Sequence, residues 1–200
     1  MTAGGAAAGG RTVRVALIAP ALGAELREAR FGDDRPLTEA ELAPARALAA
    51  PRADRVLSAP SPRCRQTAGA LGLVPDAVEP ALADLDAGAW RGRPLAELAA
   101  AEPRLIAAWL SDPDFAPPGG ESVTALLARV GRWLDALPAD TDHLLAVAEP
   151  AVVRAAVVHA LALPPAAFWR LDVVPLTATH LSGRAARWNL RCGTALATAT

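Results

Sequence analysis

Few side chains in this 200-residue chain are suited to chemistry near neutral pH. It has three histidines, His143, His159 and His180, and two cysteines, Cys64 and Cys192. The cysteines lie far apart and lack metal-ligand spacing. Two reduced thiols in a cytoplasmic protein are expected, with a disulfide between them as the alternative. Cys64 follows Arg63 near a helix start, a setting that lowers a thiol's pKa, but a helical position facing the core is the simpler expectation. Carboxylates and guanidiniums are plentiful, so only position can single out those that act together.

Position follows from the elements. Residues 12–18 are rich in Val, Leu and Ile and read as a central strand, stopped by Pro20, which cannot donate to a ladder. Thr38-Glu39-Ala40-Glu41 is a capping box that opens a helix over residues 38–50, with Pro44 predicted to kink it. Residues 54–58 form a short strand. Ser61-Pro62 then starts a helix, Ser61 as cap and Pro62 at the first position, and this helix carries Arg63, Arg65, Gln66 and Thr67. Two short helices, 94–101 and 104–110, read as an insertion over the sheet edge. A longer amphipathic helix covers 123–137, with Leu126, Leu127, Val130, Trp133 and Leu134 at helical spacing. Residues 143–148 form the strongest strand after the first, and Pro150 opens a helix to 163. Residues 171–192 alternate as antiparallel strands with a turn at Gly183.

This alternation predicts a three-layer α/β/α fold, a mostly parallel central sheet with helices on both faces. In such sheets a site forms at the carboxyl ends of the strands. Those ends are Pro20, residues 58–61 and Glu149. Residues 1–11 are expected to be a disordered leader, 12–192 one domain, and 193–200 a frayed tail.

Composition narrows the function classes. Hydrophobic residues make up 52% of the chain, enough for a sizeable core. The formal net charge is -1, and no basic face is evident, so nucleic acid and acidic membranes are not expected partners. No apolar run is long enough to span a bilayer. No cofactor or metal is implied.

Five segments in order resemble the histidine phosphatase superfamily, the group of phosphoglycerate mutases and α-ribazole-type phosphatases. They are Arg30-Phe31-Gly32 with Pro36-Leu37-Thr38-Glu39; Ser58-Ala59-Pro60 with Arg63-Cys64-Arg65-Gln66-Thr67-Ala68; Leu85-Asp86-Ala87-Gly88-Ala89-Trp90-Arg91-Gly92; Pro118-Gly119-Gly120-Glu121-Ser122; and Val152-Val153-Arg154. The resemblance implies a phosphoglycerate mutase-like fold. It also implies a histidine nucleophile that takes up phosphate, arginines and a second histidine around the phosphoryl oxygens, and an acid for the leaving group.

Carried onto this chain, that pattern breaks. The family's Arg-His-Gly falls on Ala19-Pro20-Ala21, so the nucleophile position is Pro20. The asparagine often found in the next loop falls on Leu26. The second histidine falls on Glu149, and the residue after it, Pro150, has no N–H to hold phosphate. Arg63 remains as a phosphate ligand, and Asp84 stands where the acid belongs. The resemblance thus identifies a degenerate member lacking both active-site histidines.

If the fold holds, Arg63, Asp84 and Glu149 share one pocket, with Arg30 at its rim and Arg154 either beside it or structural. The preferred reading is a relic pocket in which Arg63 neutralises Glu149, in a pseudoenzyme that binds a small molecule or a partner such as a homologous protein. The alternative is a repurposed lyase, isomerase or cyclase, with Asp84 and Glu149 as acid and base and Arg63 as substrate anchor. A divalent cation between the two carboxylates is disfavoured, since Arg63 is adjacent and no third ligand is evident. The five tryptophans read as core or rim packing.

Overall fold

In the computed structural model, the described residues are 12–32, 34–138, 140–184 and 187–199. The expected leader, residues 1–11, lies outside them, as does Asp33. The elements run β1 (Val13–Ile18), α1 (Ala24–Arg27), α2 (Glu39–Arg46), β2 (Leu48–Ala49), β3 (Arg55–Ser58), α3 (Pro62–Ala70), β4 (Ala77–Val78), α4 (Leu95–Ala101), α5 (Pro103–Ser111), α6 (Val123–Asp135), β5 (His143–Val147), α7 (Pro150–Ala160), β6 (Thr177–Arg184), β7 (Arg187–Ala195) and β8 (Ala197–Thr198).

Alternation in β1 puts Val13, Val15 and Leu17 in the core and Arg14 in solvent, the period-2 pattern of a pleated strand. β1 sits inside a six-stranded sheet of order β4-β3-β5-β1-β6-β7. It pairs in parallel with β5 and antiparallel with β6. β3 pairs in parallel with β5 and with β4, and β6 and β7 close the other edge as an antiparallel hairpin. The sheet is therefore mostly parallel with helices on both faces, the phosphoglycerate mutase-like architecture. α6 turns Val123, Leu126, Val130 and Leu134 into the core, and α7 is buried on nearly every side, as a helix between a sheet and a second helix must be.

The capping box at Thr38 is formed: Glu41 N donates to Thr38 Oγ1 (3.3 Å) and Thr38 N donates to Glu41 Oε2 (2.9 Å). The helix is shorter than expected. It ends at Arg46, two residues past Pro44, where an intrahelical N–H is missing. Leu48–Ala49 then becomes β2 and pairs with β8. Within the expected tail, among the described residues, β7 runs to Ala195 and Ala197–Thr198 pairs with β2. Gly183 is in β6 and not in the turn. A Cβ there would lie 2.0 Å from the Arg187 carbonyl oxygen, so the hairpin packs against the bare Cα.

The insertion forms its own small core. Trp90, Trp109, Leu98 and Ile106 are buried there. Phe31 lies 5.2 Å from Trp109, and Trp109 lies 4.3 Å from Trp169, between ring centroids. The tryptophans do pack in core and rim, but Trp90, Trp109 and Trp169 converge in space although they are dispersed in sequence.

Candidate functional site

The parallel register puts the strand ends in one row. Ile18 lies beside Val147, and Val147 beside Ser58. Backbone bonds extend the row, Ala148 N to Ile18 O at 3.0 Å and Ala59 N to Val147 O at 2.8 Å. Every chain leaving this row enters the same space, so Glu149 and the start of α3 are brought together although 86 positions separate Arg63 from Glu149.

There Arg63 and Glu149 form a two-point ion pair. Arg63 Nε donates to Glu149 Oε1 (2.9 Å), and Nη2 donates to Oε2. Arg63 is 8% exposed and Glu149 1%. Ser61 Oγ donates to Oε1 (2.6 Å) and accepts from Cys64 N (3.2 Å), so the helix cap also holds the carboxylate. Charge-assisted bonds of this kind offset the desolvation that burial imposes on two ions. Sequence reasoning saw Ser61 only as a cap.

Pro20 is buried and Ala19 is 1% exposed, and neither lines the cleft at the strand ends. Ala21 N donates to Thr67 Oγ1 (3.1 Å), which ties the segment after β1 to α3. Gln66 does the same for the next loop, accepting from Leu37 N at 2.7 Å. Leu26 is in α1, and its side chain is outside the described set. Pro150 is the first residue of α7, with no N–H to point into the cleft.

Asp84 faces the same cleft. Burial, then the neighbouring Glu149 carboxylate, push its pKa from 3.8 up to about 7, against the opposing pull of Arg63 and Arg129. Its backbone is fixed by Arg129, which donates to Ala81 O (2.7 Å), Ala83 O (3.0 Å) and Asp84 O (3.3 Å) and pairs with Glu121 (2.7 Å). Sequence reasoning missed this clamp. Its only sequence trace is an arginine eight positions after Glu121, in a helix that also carries Arg132.

The cleft has two parts. The polar end, about 40 Å³, is lined by Ser61, Arg63, Asp84 and Glu149. It opens into a space of about 190 Å³ walled by Phe31, Trp109, Phe168 and Trp169, with Arg30 and Arg154 at its edge. Arg30 donates to Gly92 O (2.7 Å) and pairs with Glu28 (3.0 Å). Arg154 donates to Leu171 O (2.7 Å) and lies 5.7 Å from the Phe168 ring centre, and burial lowers its pKa.

No histidine lines this cleft among the described residues. His159 Nε2 lies 3.0 Å from Asp135 Oδ2, and its ring packs over Gly131. His143 starts β5, and His180 lies within β6. Cys64 is fully buried with its thiol pKa raised, first by burial and then by Glu149, so it is no activated nucleophile. No three His, Cys, Asp or Glu residues are placed to hold a metal ion among the described residues.

With this sheet order and these strand-end residues, the chain belongs to the histidine phosphatase superfamily (branch 1), whose profile matches residues 23–194. The match begins beyond Ala19 and Pro20. A bifunctional protein of Mycobacterium tuberculosis is 42% identical over 83 residues, 40% of this chain. That stretch is only 23% of the mycobacterial protein's length. An adenosylcobalamin/α-ribazole phosphatase of Salmonella typhimurium is 32% identical over 126 residues, 60% of this chain and 62% of the enzyme. Among solved structures, a mycobacterial glucosyl-3-phosphoglycerate phosphatase superposes with a TM-score of 0.77 at 25% identity, covering 92% of this chain and 100% of the other.

Proposed function

We propose that this protein keeps the histidine phosphatase fold without phosphohistidine chemistry and acts as a pseudoenzyme that binds a small molecule in its cleft. One observation carries the reading. The position that a phosphoryl group would occupy between Arg63 and the end of β5 is taken by the protein's own carboxylate. Glu149 receives two guanidinium donors and a hydroxyl, the set of partners that would otherwise meet phosphate oxygens. A second anion entering there must displace a buried ion pair. Pro20, at the end of β1, offers no nucleophile, and Pro150 offers no N–H.

What remains open is the larger space, apolar and edged by two arginines. It fits a ligand with an apolar ring or chain and an anionic group, held away from the old phosphate position. The cytoplasm is the compartment we assign. It is supported by two free cysteines, one buried and one exposed, and by the lack of any described helix long and apolar enough to cross a membrane.

Two of the similar proteins named above are phosphatases, so phosphatase activity is what the test must exclude. With p-nitrophenyl phosphate and a panel of phosphomonoesters, turnover is expected to stay at background. Robust turnover lost in Arg63→Ala would overturn the reading.

The pKa of Asp84 supports a second reading. A carboxyl group poised near neutrality in a cleft is suited to general acid–base work. Here Asp84 would be the proton carrier, since Glu149 is engaged with Arg63. A conversion abolished by Asp84→Asn in a protein that remains folded would favour this reading over the first.

A further inference from the structure

At the opposite, amino-terminal end of the strands, one face of the sheet is left open as a groove of about 440 Å³. Strand register decides what faces it. Arg14 of β1 lies beside His143 of β5 on one side and Ser182 of β6 on the other. Two residues further along β6, His180 lies beside Arg191 of β7. Paired neighbours project to the same face of a sheet, so these side chains share one surface. Arg52, in the segment between β2 and β3, adds a third guanidinium from the side wall.

No carboxylate lines this groove among the described residues. Arg14, Arg52 and Arg191 are exposed, and none makes a side-chain hydrogen bond or ion pair with a described residue. Asp54 borders the groove, its Oδ2 lying 3.5 Å from His143 Nδ1 and accepting from the backbone N–H of that residue (3.2 Å). The field in the groove is felt by its own members: burial, and then Arg191, lower the pKa of His180. This clustering is local, because the whole chain carries a net charge of -1. The sequence offered no basic face, because the three arginines come from three separate segments.

Three like charges, two of them on a rigid ladder, repel one another, and an anion of matching charge removes the repulsion. Arginine presents paired donors that suit phosphate oxygens. The volume lies in the range of small-molecule sites. We infer that this groove is a second ligand site, for a small polyanion bearing two or more phosphate groups, assembled by Arg14, Arg52 and Arg191 with His143, His180 and Ser182. The inference does not depend on how the cleft at the other end of the strands is used.

The experiment titrates the full chain with inorganic tripolyphosphate, followed by calorimetry and by the imidazole NMR signals. The chain has only three histidines, and His159 lies on α7, paired with Asp135, as an internal control. Saturable binding is expected, with the His143 and His180 signals shifting and that of His159 unmoved. The double variant Arg14→Ala/Arg191→Ala is expected to bind roughly tenfold or more weakly, as for loss of charge-assisted contacts. Both residues are exposed, and an unchanged circular dichroism melt verifies the fold. Absence of saturable binding, equal shifts at all three histidines, or undiminished affinity in the folded double variant would each overturn the proposal.

Discussion

The carboxylate of Glu149 closes on the guanidinium of Arg63 across the ends of β5 and α3, Oε1 lying 2.9 Å from Nε and 2.6 Å from Ser61 Oγ. Two ions at 1% and 8% exposure hold each other where the fold brings three strand ends together. Several measurable consequences depend on that pair and its surroundings.

Breaking the pair from one side leaves a buried charge unmatched. Arg63→Ala is expected to lower unfolding stability by about 3–5 kcal/mol. Replacing both partners with hydrophobic residues of similar volume, Arg63→Met with Glu149→Met, is expected to recover most of that loss. Urea denaturation of both variants gives the comparison. A double variant as unstable as the single one would mean that the pair is not the main source of the effect.

On the proposed reading, a histidine placed at position 20 alone is not expected to give phosphatase chemistry. Pro20→His puts an imidazole at a buried position while Arg63 stays engaged by Glu149. Each missing preorganised donor costs roughly 3 kcal/mol, about a hundredfold in rate. The single variant is expected to remain at background in a phosphomonoesterase assay, while Ala19→Arg/Pro20→His/Glu149→His frees Arg63 and gives measurable hydrolysis. Turnover from Pro20→His by itself would contradict the picture of an occupied anion slot.

Asp84 makes stability depend on pH with a definite sign. Its folded pKa of about 7 lies above its ordinary 3.8, so between these values the folded state binds more protons than the unfolded one. Its contribution therefore falls as pH rises through this window. Asp84→Asn is expected to flatten that part of the stability-versus-pH curve. It should also raise stability at pH 8 by on the order of 1–2 kcal/mol, less than the full shift because the group still borders the cleft. Chemical denaturation from pH 4 to 8 checks both statements.

The polar end of the cleft depends on two backbone segments crossing at Gly88 and Gly120. A Cβ on Gly120 would lie 2.4 Å from Asp86 O, and one on Gly88 would lie 2.3 Å from Pro118 O. Gly88 also has a φ of +51°, so alanine there is both crowded and strained. The crossing is sealed by Glu121 N to Asp86 O (2.8 Å) and Ala89 N to Pro118 O (2.9 Å). Gly120→Ala is expected to cost about 2 kcal/mol or more and to loosen the Arg129–Glu121 clamp behind Asp84. Hydrogen exchange over residues 81–90 would reveal the loosening, and protection equal to wild type would refute it.

Much of this was legible before any coordinates, for local reasons. The caps at Thr38 and Ser61 are patterns within four residues, and β1 announces itself by composition and its terminal proline. Helix limits were less legible. α2 stops early because Leu48–Ala49 finds a partner 150 positions away, Leu48 opposite Thr198, which no local window contains. The aromatic wall was hidden for the same reason: Phe31, Trp109 and Trp169 are far apart in the chain and 5.2 and 4.3 Å apart in space.

The sequence by itself determined the family and which residues stand at the strand ends, because strand, turn and cap signals are carried by neighbouring side chains and residue identity needs no coordinates. That Pro20 stands at the end of the first strand and Glu149 at the end of the fifth was readable in this way. Only the tertiary structure decided that Glu149 meets Arg63 and Ser61, that Asp84 is held near neutrality, and that scattered arginines line one groove. Each of these follows from the register of paired strands and from burial, and both exist only once distant segments have packed together.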